Sequence, residues 1–78
     1  MTYHHEHEST FELGDLIECP AWFDITTDAG EVTSCRMYRW DFNGRQQKRD
    51  TLVALVGHVE VNRIEEMVVE EYYEKNNP

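Results

Sequence analysis

Val32-Thr33-Ser34-Cys35-Arg36-Met37-Tyr38-Arg39-Trp40-Asp41-Phe42 alternates in polarity and runs directly into Asn43-Gly44-Arg45-Gln46-Gln47. Asn-Gly between two such runs is the strongest short-range signal for a β-hairpin, because a type I′ turn needs positive φ at both central residues. If Asn43 and Gly44 are the turn, Phe42 faces Arg45, Trp40 faces Gln47, Tyr38 faces Arg49 and Arg36 faces Thr51 across the ribbon. The return strand is expected from Arg45 to about Val61. In it Val53, Leu55, Val59 and Val61 share one parity, while Leu52, Ala54 and Val56 share the other before His58 and Glu60 turn polar. A strand apolar on both faces early and on one face late reads as central in its sheet.

Upstream of this hairpin, Phe11, Leu13, Leu16, Ile17 and Cys19 suggest a first strand bent at Gly14-Asp15 and broken by Pro20. Trp22, Phe23 and Ile25 make a short second strand, closed by the turn signal Asp28-Ala29-Gly30. Residues 1–9, with His4, His5, Glu6, His7 and Glu8, read as a flexible His/Glu-rich tail. Downstream, Asn62-Arg63-Ile64-Glu65 reads as a capping box that opens a helix. Lys75-Asn76-Asn77-Pro78 supplies the stop. The expected fold class is α+β: a small antiparallel four-stranded sheet with one C-terminal helix, forming a single small domain over residues 10–78.

The phrase Phe11-Glu-Leu-Gly-Asp-Leu-Ile-Glu18, followed by Gly30-Glu-Val-Thr33, resembles the opening of SH3-like small barrels. That resemblance covers about a quarter of the chain. It implies an SH3-like partial barrel as the alternative closure of the same strands, and carries no function.

Seventy-eight residues exclude a multidomain enzyme or a dinucleotide-binding fold. Sixteen acids against seven Lys and Arg give a net charge of −9, which disfavours whole-molecule binding to phosphate backbones or anionic membranes. With 40% hydrophobic residues the composition is nevertheless that of a folded domain rather than an acidic tail. The longest apolar run, Leu52 to Val56, is far too short to span a bilayer. The first residues lack the pattern of a signal peptide. Cys19 and Cys35 read as reduced thiols, although one bridge between two strands is the other reading. A cytoplasmic protein is expected.

Charge is unevenly spread. Arg36, Arg39, Arg45, Lys48 and Arg49 lie within residues 36–49 with Asp41 as the only acid, while the rest of the chain holds two cations and fifteen acids. In the hairpin register above, Tyr38, Trp40 and Phe42 alternate with these cations on one face. Such a platform stacks bases and neutralises phosphates. The opposing reading places the aromatics in the core. On the predicted helix, Glu66, Glu70 and Glu74 recur every four residues, which sets their carboxylates about 6 Å apart along the axis. With Glu65 and Glu71 they form a phosphate-like row, and Tyr72 and Tyr73 are the aromatic anchors beside it. A plain solubilising face is the bland account of the same glutamates. The helix's apolar residues, Ile64, Met67, Val68, Val69, Tyr72 and Tyr73, spread over about 240°, wider than one buried stripe needs. A second layer or a homodimer would cover the excess.

No nucleophile, base and orienting acid can be assembled from the spacing, and His58 is the lone histidine beyond the tail. An enzyme and a resident cofactor are not expected. His4, His5 and His7 are weak candidates for binding zinc, copper or nickel, because no cysteine pair completes a closed site. The function expected from the sequence is a non-enzymatic acidic module that binds a protein. Its sharper form is a phage-type inhibitor that mimics nucleic acid and blocks a host DNA- or RNA-handling protein such as a restriction enzyme, CRISPR effector, polymerase or gyrase. The alternatives are a nucleic-acid-binding protein using hairpin 36–49 and a homo-oligomeric assembly protein.

Overall fold

The computed structural model describes residues 1–76. It contains strands β1 (Thr2–Leu13), β2 (Ile17–Asp28), β3 (Glu31–Phe42) and β4 (Arg45–Gln47), then helices α1 (Arg49–Val56) and α2 (His58–Asn76). The strands form one antiparallel sheet in the order β1-β2-β3-β4, an up-and-down meander with both helices after it. This is the expected α+β class. β1 and β4 lie at opposite edges, so the sheet stays open and does not close into the SH3-like partial barrel.

Each hairpin reverses on residues with positive φ: Gly14 and Asp15, Ala29 and Gly30, Asn43 and Gly44. At the last of these, Phe42 pairs with Arg45 and Trp40 with Gln47, as the Asn-Gly turn dictates. Ala29 is the costly member of the set, because its φ of 52° brings Cβ against the following carbonyl. Ala29→Asn, which tolerates this region, is expected to stabilise the fold by about 0.5–1 kcal/mol. A chemical denaturation midpoint unchanged or lowered by the substitution would refute that reading of the turn.

Several expectations need correction. Gly14-Asp15 is not a bend in one strand but the reversal between β1 and β2. Residues 2–9 are not a tail: they form most of β1, whose pairing with β2 runs without a register shift from Thr2–Asp28 to Leu13–Ile17. Inward-facing positions of β1 are His5, His7, Ser9, Phe11 and Leu13, so a polar row replaces the aliphatic alternation that marks a strand in a sequence. Pro20 does not end a strand; it sits within β2 opposite Thr10, before pairing with β3 begins at Ala21. There a missing N–H costs no bond toward β3.

The return strand is also much shorter than expected. It stops at Gln47, and residues 49–56 are helical. Leu52 is fully buried and Val56, one turn on, is half-buried, whereas Ala54 and Leu55 face solvent. The apolar run that mimics a doubly buried strand is one stripe of a helix plus two exposed residues. Gly57, at φ 91°, ends α1 by donating its N–H to Val53 O at 2.8 Å, and α2 starts at once at His58. Asn62 therefore lies inside α2 rather than capping it. The stop signal at Asn77 and Pro78 lies outside the described residues.

One face of the sheet carries the core. Phe11, Cys19, Ala21, Phe23, Ile25, Met37 and Trp40 pack beneath Leu52, Val61, Ile64 and Val68 of the helices. Two register shifts shape this face, between Trp22 and Phe23 and between Thr26 and Thr27. The first leaves Tyr38 as an extra residue, since Trp22 pairs with Arg39 and Phe23 with Met37. A bulge of this kind lets Met37 and Trp40, an odd number of residues apart, both point inward. Among the described residues, no helix covers the opposite face of the sheet. Its β1 and β2 residues include His4, Glu6, Glu8, Trp22 and Asp24.

Candidate protein-binding surface

The acidic row divides into exposed and internal members. Glu66, Glu70 and Glu74 are exposed along one side of the 19-residue α2. Among the described residues none of the three takes part in an ion pair or a side-chain hydrogen bond with another group. Glu65 is different: it is buried, with only 7% of its surface exposed. Its Oε1 accepts from Arg49 Nη2 at 3.0 Å, and its Oε2 accepts from Arg49 Nε at 3.1 Å and from the Met37 N–H at 2.7 Å. Glu65 is thus an internal cross-link between α2, β3 and the start of α1 rather than a phosphate-like surface charge. Its place was legible in the periodicity, because Val61, Ile64, Glu65, Val68 and Tyr72 follow the spacing of one buried helical stripe.

Glu71 and the two tyrosines also hold the molecule together. Ser9 Oγ lies 2.9 and 3.0 Å from the two Glu71 oxygens and donates to that carboxylate. His7 Nε2 is 3.6 Å from Glu71 Oε1, too long for a hydrogen bond, and has no other partner. Tyr72 is half-buried and packs its ring on His5 and His7, with centroids 5.6 and 6.4 Å away. Tyr73 is 40% exposed, and its hydroxyl accepts the Val32 N–H at 2.7 Å. Of the two expected anchors, only Tyr73 presents much surface.

The basic hairpin comes apart as a platform. Trp40 is buried and donates Nε1–H to Lys48 O at 2.9 Å. Phe42 is half-buried and packs edge-on against it. Tyr38 points to the open face, where its hydroxyl donates to Glu6 Oε1, a bond that holds the phenol above its ordinary range. The expected pairs Tyr38–Arg49 and Arg36–Thr51 do not exist, because both partners lie in α1. Arg39 stacks 4.3 Å over the Trp22 ring and donates to both Asp41 oxygens, at 3.1 and 3.2 Å. With Arg49 committed to Glu65, the exposed cations of the segment are Arg36, Arg45 and Lys48. Sequence reasoning missed Trp22, which shares the open face with Glu8 and Asp24.

The histidines do not converge. His4 lies on the open face, with Nδ1 3.7 Å from Asp24, whereas His5 and His7 face α2, and His5 Nε2 is 3.0 Å from Thr27 Oγ1. Among the described residues no group of three or more His, Cys, Asp or Glu is placed to hold a metal ion. Both cysteines are free. Cys35 pairs with Ile25, six residues along β2 from Cys19, which is about 20 Å at strand rise and far beyond disulfide reach. Burial, with Glu65 and Asp24 nearby, pushes the Cys35 thiol up to about 12, so it is a poor nucleophile. No helix among the described residues is long and apolar enough to cross a membrane.

What remains on the surface is an acidic helix side, an acidic open sheet face and few uncommitted cations. No protein-family model matches the chain, and no curated protein or solved structure matches it either.

Proposed function

We propose that the chain is a non-enzymatic, acidic protein-binding module whose carboxylates occupy a basic groove that its partner uses for nucleic acid. The observation that carries this reading is the row Glu66, Glu70 and Glu74, exposed on one side of a continuous helix and, among the described residues, engaged by no cation. Arg39, Arg49 and Arg63, three of the seven Lys and Arg residues, are meanwhile paired with Asp41, Glu65 and Glu60 of their own chain. Each of these pairs cancels one cation against one acid, so the net charge of −9 is carried by acids without such a partner, and a field of that sign steers a basic partner. Inhibition of a host DNA- or RNA-handling protein is the function this chemistry suits.

The test is capture of a partner on immobilised protein after nuclease treatment, followed by elution with duplex DNA. Glu66→Lys, Glu70→Lys and Glu74→Lys together are expected to abolish capture while leaving the circular dichroism spectrum unchanged, since all three side chains are exposed. Capture by the triple variant at undiminished affinity, or a bound protein that duplex DNA cannot displace, would sink the proposal.

A further inference from the structure

The two long edges of the sheet are finished differently. Beyond the short β4, the edge of β3 is met by side chains of α2: Tyr73 Oη accepts the Val32 N–H and Glu65 Oε2 accepts the Met37 N–H, both at 2.7 Å. The outer edge of β1 is not. Among the described residues no side chain bonds to a main-chain group of β1, and no strand lies beyond it. This edge is twelve residues long, regular in register, and free of proline and lysine. Those are the features that natural sheets usually avoid, because a row of open N–H and C=O groups is a template for another strand.

The side chains beside that row define what it admits. On the open face they are Thr2, His4, Glu6, Glu8, Thr10 and Glu12, with Asp24 opposite Glu6 on β2. On the helix face, Phe11, Ile64 and Met67, the last 42% exposed, line a groove at the Thr10–Glu12 end of β1, with Arg63 beside it. A second copy fits poorly: of the two antiparallel pairings that use nearly the whole strand, the one centred on His7 sets Glu6 against Glu8 of the partner twice and the one centred on Glu8 sets that glutamate against itself, between chains of charge −9. Like charges directly opposed destabilise a strand pair. The same acids that exclude self-pairing select a strand with cations on that face.

We propose that the outer edge of β1 is a strand-addition site for an extended segment of a protein partner, with Lys or Arg at alternate positions on the open face and apolar residues between them facing the groove. Main-chain bonds along β1 supply the affinity, and Glu6, Glu8 and Glu12 supply the choice of partner. This rests on the acidic-module reading and names a second contact, distinct from the α2 row.

The experiment uses the whole protein, isotopically labelled, with an acetylated and amidated nine-residue peptide alternating Lys and Val as the probe. Amide exchange and chemical shifts are followed by NMR. The expected result is shift changes in β1 and exchange slowed at least tenfold at alternate amides between Thr2 and Leu13. A peptide of the same composition, with its lysines and valines in two blocks, should produce neither. Glu8→Lys with Glu12→Lys should remove the effect of the alternating peptide while the spectrum stays dispersed. Three outcomes would overturn the proposal: no change in β1 at millimolar peptide, slowing at those amides that grows with protein concentration and needs no peptide, or changes confined to α2 around Glu66, Glu70 and Glu74. The last would leave the acidic-module reading standing and remove only strand addition.

Discussion

Arg49→Ala is expected to lower the unfolding free energy by about 3–5 kcal/mol, the usual cost of leaving one partner of a buried ion pair alone. The side chains of Arg49 and Glu65 are only 14% and 10% exposed, and the carboxylate they share ties α2 to the start of α1 and to the Met37 amide. Removing the guanidinium strands a charge where water cannot reach it well. Replacing the carboxylate is milder, because glutamine keeps an acceptor for the Met37 N–H. The order of loss should therefore be Arg49→Ala first, then the double variant Arg49→Met with Glu65→Gln. The exposed pair Arg63–Glu60, on the surface of the same helix, is the control, and Arg63→Ala should cost less than about 1 kcal/mol. Urea denaturation at constant m-value measures all three. Equal losses for Arg49→Ala and Arg63→Ala would show that the internal cross-link is not what holds α2 to β3.

Much of the sheet was readable because its turns are chemical statements. Asn43-Gly44 fixed two strand pairs, and Asp28-Ala29-Gly30 marked the end of β2, since few residues tolerate positive φ. What could not be read follows from polar residues in inward positions. His5, His7 and Ser9 face α2 and meet Tyr72 and Glu71 there, so their burial depends on a helix some sixty residues further on. Local alternation of apolar side chains has no access to such a partnership. The strand-to-helix change at residue 48 was hidden for another reason. Leu52, Val53, Ala54, Leu55 and Val56 are apolar at every position, and a run with no period cannot report whether it repeats at 2 or 3.6.

The acidic row shows the same limit on the site. Spacing of four identified Glu66, Glu70 and Glu74 as one side of a helix, and that side is exposed. The residues beside them, Glu65 and Glu71, differ from the row by a rotation of about 100° each, which is enough to carry one into the core and the other onto Ser9. Charge alone predicts neither. The apolar neighbours Val61, Ile64 and Val68 carried the signal for the first, which was expected on the surface with the row.

Trp40→Ala tests where the hairpin aromatics belong, and its expected cost is about 3–5 kcal/mol. The indole is 1% exposed, meets Phe11 and Phe42 edge-on at 5.8 and 6.3 Å, and closes the β4–α1 connection through Lys48 O. A domain of this length has roughly 4–12 kcal/mol in total at about 0.05–0.15 per residue, so the variant should lose about a quarter of its stability or more. Trp40→Phe separates the two contributions. It keeps the aromatic packing and loses the indole N–H, while Lys48 O retains the Thr51 N–H at 3.1 Å, so its loss should be near 1 kcal/mol. Trp22, on the open face, remains as the fluorescent reporter in both variants. A base-stacking role for the same residue predicts the reverse: stability within about 1 kcal/mol of the wild type and loss of oligonucleotide binding at low salt. Because Trp40 cannot both fill the core and stand free to stack, one denaturation curve decides between a hairpin that builds the fold and a hairpin that reads nucleic acid.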